Sequence, residues 1–273
     1  MTIVALDSFS VSFAIYTLVI VAIGVWSSRL ARRSNEDYFL AGRGLGPWVA
    51  ALSASASSES GWVTLGLVGL GFRNGTQAFW LVPGCLLGYV FNWFFMAGRL
   101  RRRSEELGAL TVPDFFSLHF GERKPVLRLL TVVVILVAMW MYVAAQFAAA
   151  GKAFDAAFGV PYWIGVLIGT GIVLVYTVGG GFRATCWTDT MQAILMVGAL
   201  AVFPIVVLGN VGGLEAVRAS TGELNDGRYL DFWPGATGFA AIGFLLGSGA
   251  LGINLGFLGG PHILVRFMAL RSE

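Results

Sequence analysis

Charged residues are scarce in this sequence. They make up 12% of its 273 residues, about half the share that is usual for a soluble globular domain. Hydrophobic residues account for 57%, and the mean hydropathy is +0.77. This balance excludes a soluble protein and predicts an integral membrane protein. Cysteine is also scarce: Cys85 and Cys186 are too few for a disulfide framework, and we expect both to be reduced.

Sequence motifs of catalysis are missing as well. The sequence has no glycine-rich phosphate loop, no cluster of metal-ligating residues and no arrangement typical of a catalytic nucleophile. Its first residues differ from a signal peptide, because Asp7 lies where a basic region would be. We therefore expect neither an enzyme nor a nucleic-acid-binding protein, and we expect no organic cofactor.

The apolar runs predict an all-α, polytopic membrane protein that forms one transmembrane domain over residues 1–273. Each run has about the 20 residues that a helix needs to cross a bilayer. The predicted crossings, numbered one to seven, are 8–27, 45–70, 77–98, 126–148, 161–181, 188–209 and 236–257. With the N-terminus outside, 14 of the 18 lysine and arginine residues lie in cytoplasmic segments, as the positive-inside rule requires. The C-terminus is then cytoplasmic.

The second predicted crossing contains an unusual polar stretch. Residues Ser53 to Gly61 read Ser-Ala-Ser-Ala-Ser-Ser-Glu-Ser-Gly, which places five serines and Glu59 inside an apolar run. Small and hydroxylated residues favour a break in the helix, and bare backbone at that depth is tolerated only where protein or a water-filled cavity satisfies it. A charged residue there is a candidate functional residue by default. The stretch predicts an ion or solute site at the membrane midplane.

The seventh predicted crossing is rich in glycine, with six glycines between Gly247 and Gly260, followed by Pro261. This composition favours an interrupted helix, although glycines at such spacing also allow neighbouring helices to pack closely. Crossings two and seven are five apart and therefore run in opposite directions. Paired interruptions at corresponding positions indicate an inverted-repeat transporter with its site between the repeats.

Other polar residues have two interpretations each. Tyr142 faces either a cavity or lipid and neighbouring helices. Asp189 is either a site residue or a charge that stabilises a helix N-terminus. The sequence Thr111-Val-Pro-Asp predicts the start of a short helix at the membrane surface, on which His119 is a surface residue rather than a ligand.

Several motifs occur together and in a fixed order. They are Ala-Gly-Arg-Gly-Leu-Gly-Pro-Trp at 41–48, Ser-Gly-Trp at 60–62, Gly-Gly-Phe at 180–182, Trp-Thr-Asp-Thr at 187–190 and Gly-Gly-Pro-His-Ile-Leu-Val-Arg-Phe-Met-Ala at 259–269. With these motifs the sequence resembles the sodium–solute symporter family, with the closest similarity to the sodium/proline symporters. The resemblance runs from about Asp37 to the C-terminus.

The resemblance implies a five-plus-five inverted repeat of helices, preceded by one extra helix. Residues 45–209 would form the first repeat and residues 236–273 the start of the second. It also implies that the chain is an N-terminal portion, because family members continue through further helices that complete the sodium site. The implied function is symport of a small solute, proline or a related amino acid, across the cell membrane with Na⁺ as the coupling ion.

The resemblance further implies roles for individual residues. Na⁺ would be bound by backbone carbonyls, which suit a hard cation, at Ala56 and Glu59. The substrate pocket would be lined by Ser60, Gly61, Tyr142, Phe257 and Pro261. The positions expected to act in coupling or gating are Ser58, Arg43 and Asp189.

Three positions depart from the proline symporters. Ser58 replaces an aspartate, while the acid lies one position later at Glu59, and Ile253 and Phe257 replace a tryptophan and a tyrosine. Another small amino acid or a carboxylate would fit as well as proline, and Glu59 leaves proton coupling as an alternative to sodium. Two rival functions are a symporter-like sensory or regulatory module and a truncated product that is inactive alone.

Overall fold

The computed structural model describes residues 8–31, 33–222, 224, 227–233, 235–248 and 259–272. Within these ranges every regular element is helical. The α-helices are α1 (Ser8–Ala31), α2 (Asn35–Leu40), α3 (Pro47–Ser58), α4 (Val68–Asn74), α5 (Leu81–Phe91), α6 (Gly98–Glu106), α7 (Val112–His119), α8 (Val126–Phe158), α9 (Tyr162–Asn210), α10 (Gly213–Thr221), α11 (Gly238–Gly243) and α12 (Pro261–Met268). Between or beside them lie 3₁₀-helices at Ala41–Arg43 and Gly75–Trp80 and π-helical segments at Trp62–Leu67, Asn92–Ala97 and Phe244–Ser248.

Four helical stretches among the described residues are long and apolar enough to cross a membrane. They are Ser8–Ala31, Val63–Glu106, Val126–Phe158 and Tyr162–Asn210. The second and fourth contain 44 and 49 residues. At about 1.5 Å per residue, each exceeds twice the roughly 30 Å thickness of the hydrocarbon core. Both are interrupted by a glycine with positive φ, Gly75 at 60° and Gly181 at 59°. The prediction of an all-α membrane protein is confirmed.

Helix α9 lies at the centre of the fold and packs against α1, α2, α3 and α8. Its two halves meet at Gly181, where φ is 59° and ψ is −157°, a conformation that glycine almost alone adopts. Tyr38 lies directly against this position. The turn predicted near Gly181 is therefore a break within α9 rather than a separate loop.

The second predicted crossing is interrupted, as predicted. Helix α3 begins with Pro47 in its first turn, where a missing N–H costs nothing, and it ends at Ser58. Glu59 has an extended backbone with φ −75° and ψ 94°. The helix resumes at once, because the N–H groups of Val63 and Thr64 donate to the carbonyl of Ser60 at 2.9 and 3.2 Å. The two halves of this crossing are therefore separate helical segments.

The C-terminal end of α12 is fixed to the beginning of α3. The N–H of Leu45 donates to the carbonyl of Ala269 at 3.1 Å, and the N–H of Arg271 donates to the carbonyl of Leu45 at 2.9 Å. Phe267 of α12 is fully buried, and its ring packs edge-on against Trp93 with 5.0 Å between ring centroids. These contacts place α12 beside α3 at the end of the molecule that carries the basic run of α6.

The predicted surface helix is present as α7. Thr111 is its N-cap residue: the Thr111 hydroxyl accepts the N–H of Asp114 at 3.2 Å and donates to the Asp114 carboxylate at 2.8 Å. This arrangement satisfies one of the unpaired N–H groups at the start of the helix. Helix α7 packs against α8 and α12, so it belongs to the same end of the molecule.

Replacing Gly181 by alanine is expected to destabilise the protein, because the new Cβ would lie 2.8 Å from the carbonyl oxygen of Tyr38 in a strained backbone conformation. The expected cost is about 1–3 kcal/mol, measured as a lower unfolding temperature of the detergent-solubilised protein. Gly179→Ala is the matched control, since a Cβ at Gly179 meets nothing within 4 Å. Equal unfolding temperatures for the two variants would contradict the assignment of Gly181 as the obligatory break.

Candidate functional site

A buried ion pair lies beside the break in the second crossing. Arg266 of α12 donates through Nη2 to Oδ2 of Asp189 on α9 at 2.6 Å, and the two side chains are only 3% and 11% exposed. Removing two charges from water is costly, so such a pair is tolerated only where further hydrogen bonds satisfy it. The structure supplies these bonds from α3.

Two serines of α3 complete the pair. Ser53 Oγ and Ser57 Oγ donate to Asp189 Oδ2 at 2.9 and 3.0 Å. Arg266 Nε donates to Ser53 Oγ at 2.7 Å, and Arg266 Nη2 also donates to Ser57 Oγ. Residues four apart share one face of a helix, so both hydroxyls reach the same carboxylate. We call these four residues the Asp189–Arg266 cluster, and it joins α3, α9 and α12.

Helix α8 contributes the next layer of the site. The Tyr142 hydroxyl donates to the carbonyl of Ser57 at 3.4 Å, and the Tyr142 ring stacks on His262 of α12 with 5.5 Å between centroids. One turn further along α8, Gln146 Oε1 accepts the backbone N–H of Gly61 at 2.7 Å. Tyr142 therefore points towards the break, and α8 lines it on one side.

The end of α3 presents backbone oxygens at the break. The Glu59 N–H donates to the carbonyls of Ser55 and Ala56 at 3.2 and 3.1 Å, which closes the last turn of the helix. The last carbonyls of a helix lack their usual partners, and each carbonyl oxygen has two lone pairs. Ala56 is buried. This end of α3 is therefore suited in its chemistry to a hard cation such as Na⁺.

Among the described residues, the Glu59 carboxylate forms no hydrogen bond or ion pair with the Asp189–Arg266 cluster. It is exposed on the protein surface, and it interacts electrostatically with Cys85 and Tyr89 of α5. The neighbouring Ser58 is buried, and its hydroxyl donates to the carbonyl of Ala54 at 2.8 Å within α3. Glu59 and Ser58 thus contribute to the break through their backbone.

Arg43 is a structural junction at the basic end of the molecule. Its guanidinium donates to the Glu36 carboxylate at 2.6 Å, to the Ser104 hydroxyl and carbonyl at 3.0 and 3.3 Å, and to the carbonyls of Met268 and Ala109 at 2.9 and 2.8 Å. These five bonds join the segment after α2 to α6 and α12. Arg43 holds the same helix that carries Arg266, but its partners lie outside the Asp189–Arg266 cluster.

The remaining predicted site residues lie in or next to the glycine-rich segment. Pro261 occupies the first turn of α12, with Gly260 as the N-cap residue. Phe257 lies outside the described residues, as does Ile253, and so does most of the predicted interruption of the seventh crossing.

Five site residues were not among those predicted. They are Ser53, Ser57, Gln146, His262 and Arg266. One signal for them is present in the sequence, because Ser53 and Ser57, and likewise His262 and Arg266, are four residues apart and so share one face of a helix. Their partners on other helices, however, are 77 to 213 positions distant, so spacing alone could not identify the pairing.

A profile of the sodium:solute symporter family matches residues 38–273 of this chain. The chain belongs to this family. The resemblance stated from the motifs is thereby confirmed, and the sequence is that of a multi-pass membrane protein of the symporter family. The match includes every residue of the Asp189–Arg266 cluster.

Curated relatives support the same family assignment. The sodium/proline symporter of Escherichia coli (strain K12) is 39% identical over 268 residues, which cover 96% of this chain and 51% of the relative. The osmoregulated proline transporter OpuE of Bacillus subtilis (strain 168) is 36% identical, with 96% and 52% covered. The high-affinity proline transporter PutP of the same organism is 40% identical, with 88% and 50% covered. The chain spans about half the length of the curated relatives it matches.

Breaking the Asp189–Arg266 pair from one side is expected to be strongly destabilising. In Arg266→Gln or Asp189→Asn the remaining charge is buried without its partner, which costs about 3–5 kcal/mol. The double variant should cost less than the sum of the two single variants, because neither charge is then left alone. Chemical denaturation of the detergent-solubilised protein measures the free energy of unfolding of the two single variants and the double variant.

The control is the exposed pair of Arg103 and Glu106, whose charged atoms are 2.8 Å apart. The same neutralising changes there should cost at most about 1 kcal/mol. Additive effects of Asp189→Asn and Arg266→Gln would show that the two residues are not energetically coupled.

Adding a methyl group at Gly61 is expected to push α8 away from the break. In Gly61→Ala the Cβ would lie 2.3 Å from the Cβ of Ala149, and overpacking of this kind costs about 1–3 kcal/mol. Gly69→Ala is the control, because that position has open space around it. Combining Gly61→Ala with Ala149→Gly should restore the unfolding temperature, and failure to restore it would contradict this contact.

Proposed function

We propose that this chain acts in sodium-coupled symport of a small organic solute, proline or a related amino acid, into the cell. The observation that carries the proposal is the broken second crossing, where backbone oxygens of α3 lie next to polar side chains of α8, α9 and α12. Family membership and relatives named as sodium/proline symporters and proline transporters support the same conclusion. Transport, rather than enzymatic chemistry, is the activity that this arrangement serves.

Sodium binding is assigned to the end of α3. The carbonyl oxygens of Ala56 and Glu59 would bind Na⁺, with the hard oxygen ligands that such a cation prefers. We assign the ligands that complete the site to further helices, in line with relatives about twice as long as this chain. A bound Na⁺ would stabilise the open end of α3, where helix bonding stops.

The solute is assigned to the space beyond the break. Its pocket would be lined by Ser60, Gly61, Tyr142, Phe257 and Pro261. Gln146 and His262 join this set because they contact Gly61 and Tyr142 directly. The hydroxyl, amide and imidazole groups can bind an amino-acid carboxylate or amine, while the ring of Tyr142 can cover an apolar side chain.

Coupling is assigned to the helices that the Asp189–Arg266 cluster holds together. Ser53 and Ser57 precede the break on the side where Leu45 contacts the end of α12, so the cluster closes the route between the break and the basic end. Release of solute and Na⁺ in that direction requires α12 to separate from α3 and α9. Arg43 then acts by fixing the far end of α12, and Ser58 by ending α3.

Membrane orientation follows from the distribution of basic residues. We propose seven crossings. Tyr162–Asn210 crosses twice, on either side of Gly181, whereas in Val63–Glu106 the residues before Gly75 complete the crossing that α3 begins and those after Gly75 form the next one. The N-terminus would be outside and the C-terminus cytoplasmic, with residues 45–209 as the first repeat and 236–273 as the start of the second. One Na⁺ entering down a potential of 100 mV releases about 2.3 kcal/mol, enough for accumulation on the order of fifty-fold.

Radiolabelled proline uptake into proteoliposomes tests the proposal. We expect uptake when Na⁺ is present and none when choline replaces it, because choline is too large for a site made of backbone carbonyls. The chain is measured alone and together with the C-terminal half of the Escherichia coli sodium/proline symporter. Uptake only when the C-terminal half is also present would support the assignment of the remaining Na⁺ ligands to further helices. No sodium-dependent uptake under either condition would overturn the proposed function.

The same uptake assay, applied to variants, tests the residues that we assign to the solute pocket. Tyr142→Phe removes the hydroxyl beside Ser57, and Ser60→Ala removes a polar group at the break, so each should raise the half-saturating proline concentration about ten-fold, the effect of one lost hydrogen bond. Tyr162→Phe is the control, since Tyr162 begins α9 and is remote from the break in the sequence and in its contacts. Unchanged half-saturation in both test variants would remove these two residues from the pocket.

A further inference from the structure

An apolar groove lies at the basic end of the molecule, outside the site described above. Its volume is about 390 Å³, within the range of known ligand sites. Helices α6, α7 and α12 each contribute one side. The wall from α12 is formed by Leu264 and Met268, and the wall from α7 includes Val112 and Phe116.

The third wall of the groove changes from apolar to basic along its length. Met96 lines the groove within the apolar crossing, Arg99 lies about one turn further on, and Arg103 one turn beyond that. Residues three or four apart share a helix face, and all three line the groove. The distance along the axis from Met96 to Arg103 is about 10 Å, and the charge increases towards the end where the crossing stops.

Some arginines at this end of the molecule are engaged within the protein, whereas the two that line the groove are available to a ligand. Arg43 uses all five of its N–H groups internally, and Arg101 is buried and pairs with Glu105 at 2.6 Å. Arg99 is exposed and has no hydrogen bond or ion pair with another residue in the part of the chain that the structure describes. Arg103 pairs with Glu106 in an exposed ion pair that contributes little stability.

We propose that this groove binds an anionic phospholipid, with one acyl chain against α7 and α12 and the phosphate between Arg99 and Arg103. The ligand chemistry follows from the order of the lining residues: an apolar slot at membrane depth leads to two arginines at the level of the headgroups. Arginine pairs well with phosphate oxygens, and basic pockets at the cytoplasmic end of crossings recognise anionic headgroups. The acyl chain of a zwitterionic lipid also fits the apolar slot. Its headgroup, however, has no net negative charge to attract the two arginines.

Native mass spectrometry of the 273-residue chain tests this proposal. The protein is released from detergent micelles that contain equal amounts of dioleoyl phosphatidylglycerol and dioleoyl phosphatidylcholine. We expect a preference for a single bound phosphatidylglycerol. The double variant Arg99→Gln/Arg103→Gln should reduce that preference about ten-fold or more, while Arg102→Gln, which removes an exposed arginine outside the groove, should preserve it.

A second variant tests the acyl-chain slot independently of charge. Met96→Trp fills the groove while both arginines remain, and it should weaken phosphatidylglycerol binding, whereas Phe94→Trp at an exposed position outside the groove should not. An equal loss of preference in Arg102→Gln would overturn the proposal. So would full binding by Met96→Trp, or displacement of the lipid by inorganic phosphate alone. The readout is independent of transport, so it remains decisive if no uptake is observed.

Discussion

The ion pair between Asp189 and Arg266 is the contact on which the arrangement of α3, α9 and α12 depends. Its two members come from helices far apart in the sequence, and the serines that satisfy both charges come from a third helix. Because each charge is almost fully removed from water, neither helix can move away without exposing a group that needs all of its partners. Separating the pair is therefore costly, and this property suits it to the coupling role that we propose.

The break in the second crossing depends on the composition of Ser53 to Gly61, and its serines serve different purposes. Ser53 and Ser57 face the ion pair, and Ser58 donates to its own helix. The carbonyl of Ser60 begins the next helical segment. Small side chains at all of these positions let α8 approach closely enough for Gln146 to accept the N–H of Gly61. The backbone N–H of Gly61 is thus satisfied from a neighbouring helix, as the membrane interior requires.

The arginines in and around α6 have two different roles. Arg43 and Arg101 are buried and bind backbone carbonyls of residues 268–270 as well as carboxylates, so they hold the end of α12 in place. Arg99 and Arg103 lie on the face of α6 that meets the groove. The same run of basic residues that indicates membrane orientation thereby also contributes to packing and, on our proposal, to lipid recognition.

Composition and motif order were sufficient to determine the class of the protein. A low fraction of charge over long apolar runs permits only a membrane protein built from helices, and the family was recognisable from the motifs at 41–48, 60–62, 180–190 and 259–269. The break at Glu59 was also predictable, since serine, glutamate and glycine cannot occupy the middle of a crossing without a polar environment. Thr111 was correctly predicted to start a helix, because an N-cap acts over only three residues.

What the sequence could not determine was which polar groups meet. In the sequence, Arg266 is indistinguishable from the other basic residues near a predicted cytoplasmic end. Only the packing of α12 against α3 and α9 brings it to Asp189. From the sequence, Glu59 is the natural acid of the site, yet its side chain is exposed and interacts electrostatically with Cys85 and Tyr89 of α5. Local pattern determines where a helix begins, breaks and ends. The charge that a side chain meets beside a broken helix depends on contacts between residues that are distant in the sequence, 77 positions apart in the case of Asp189 and Arg266.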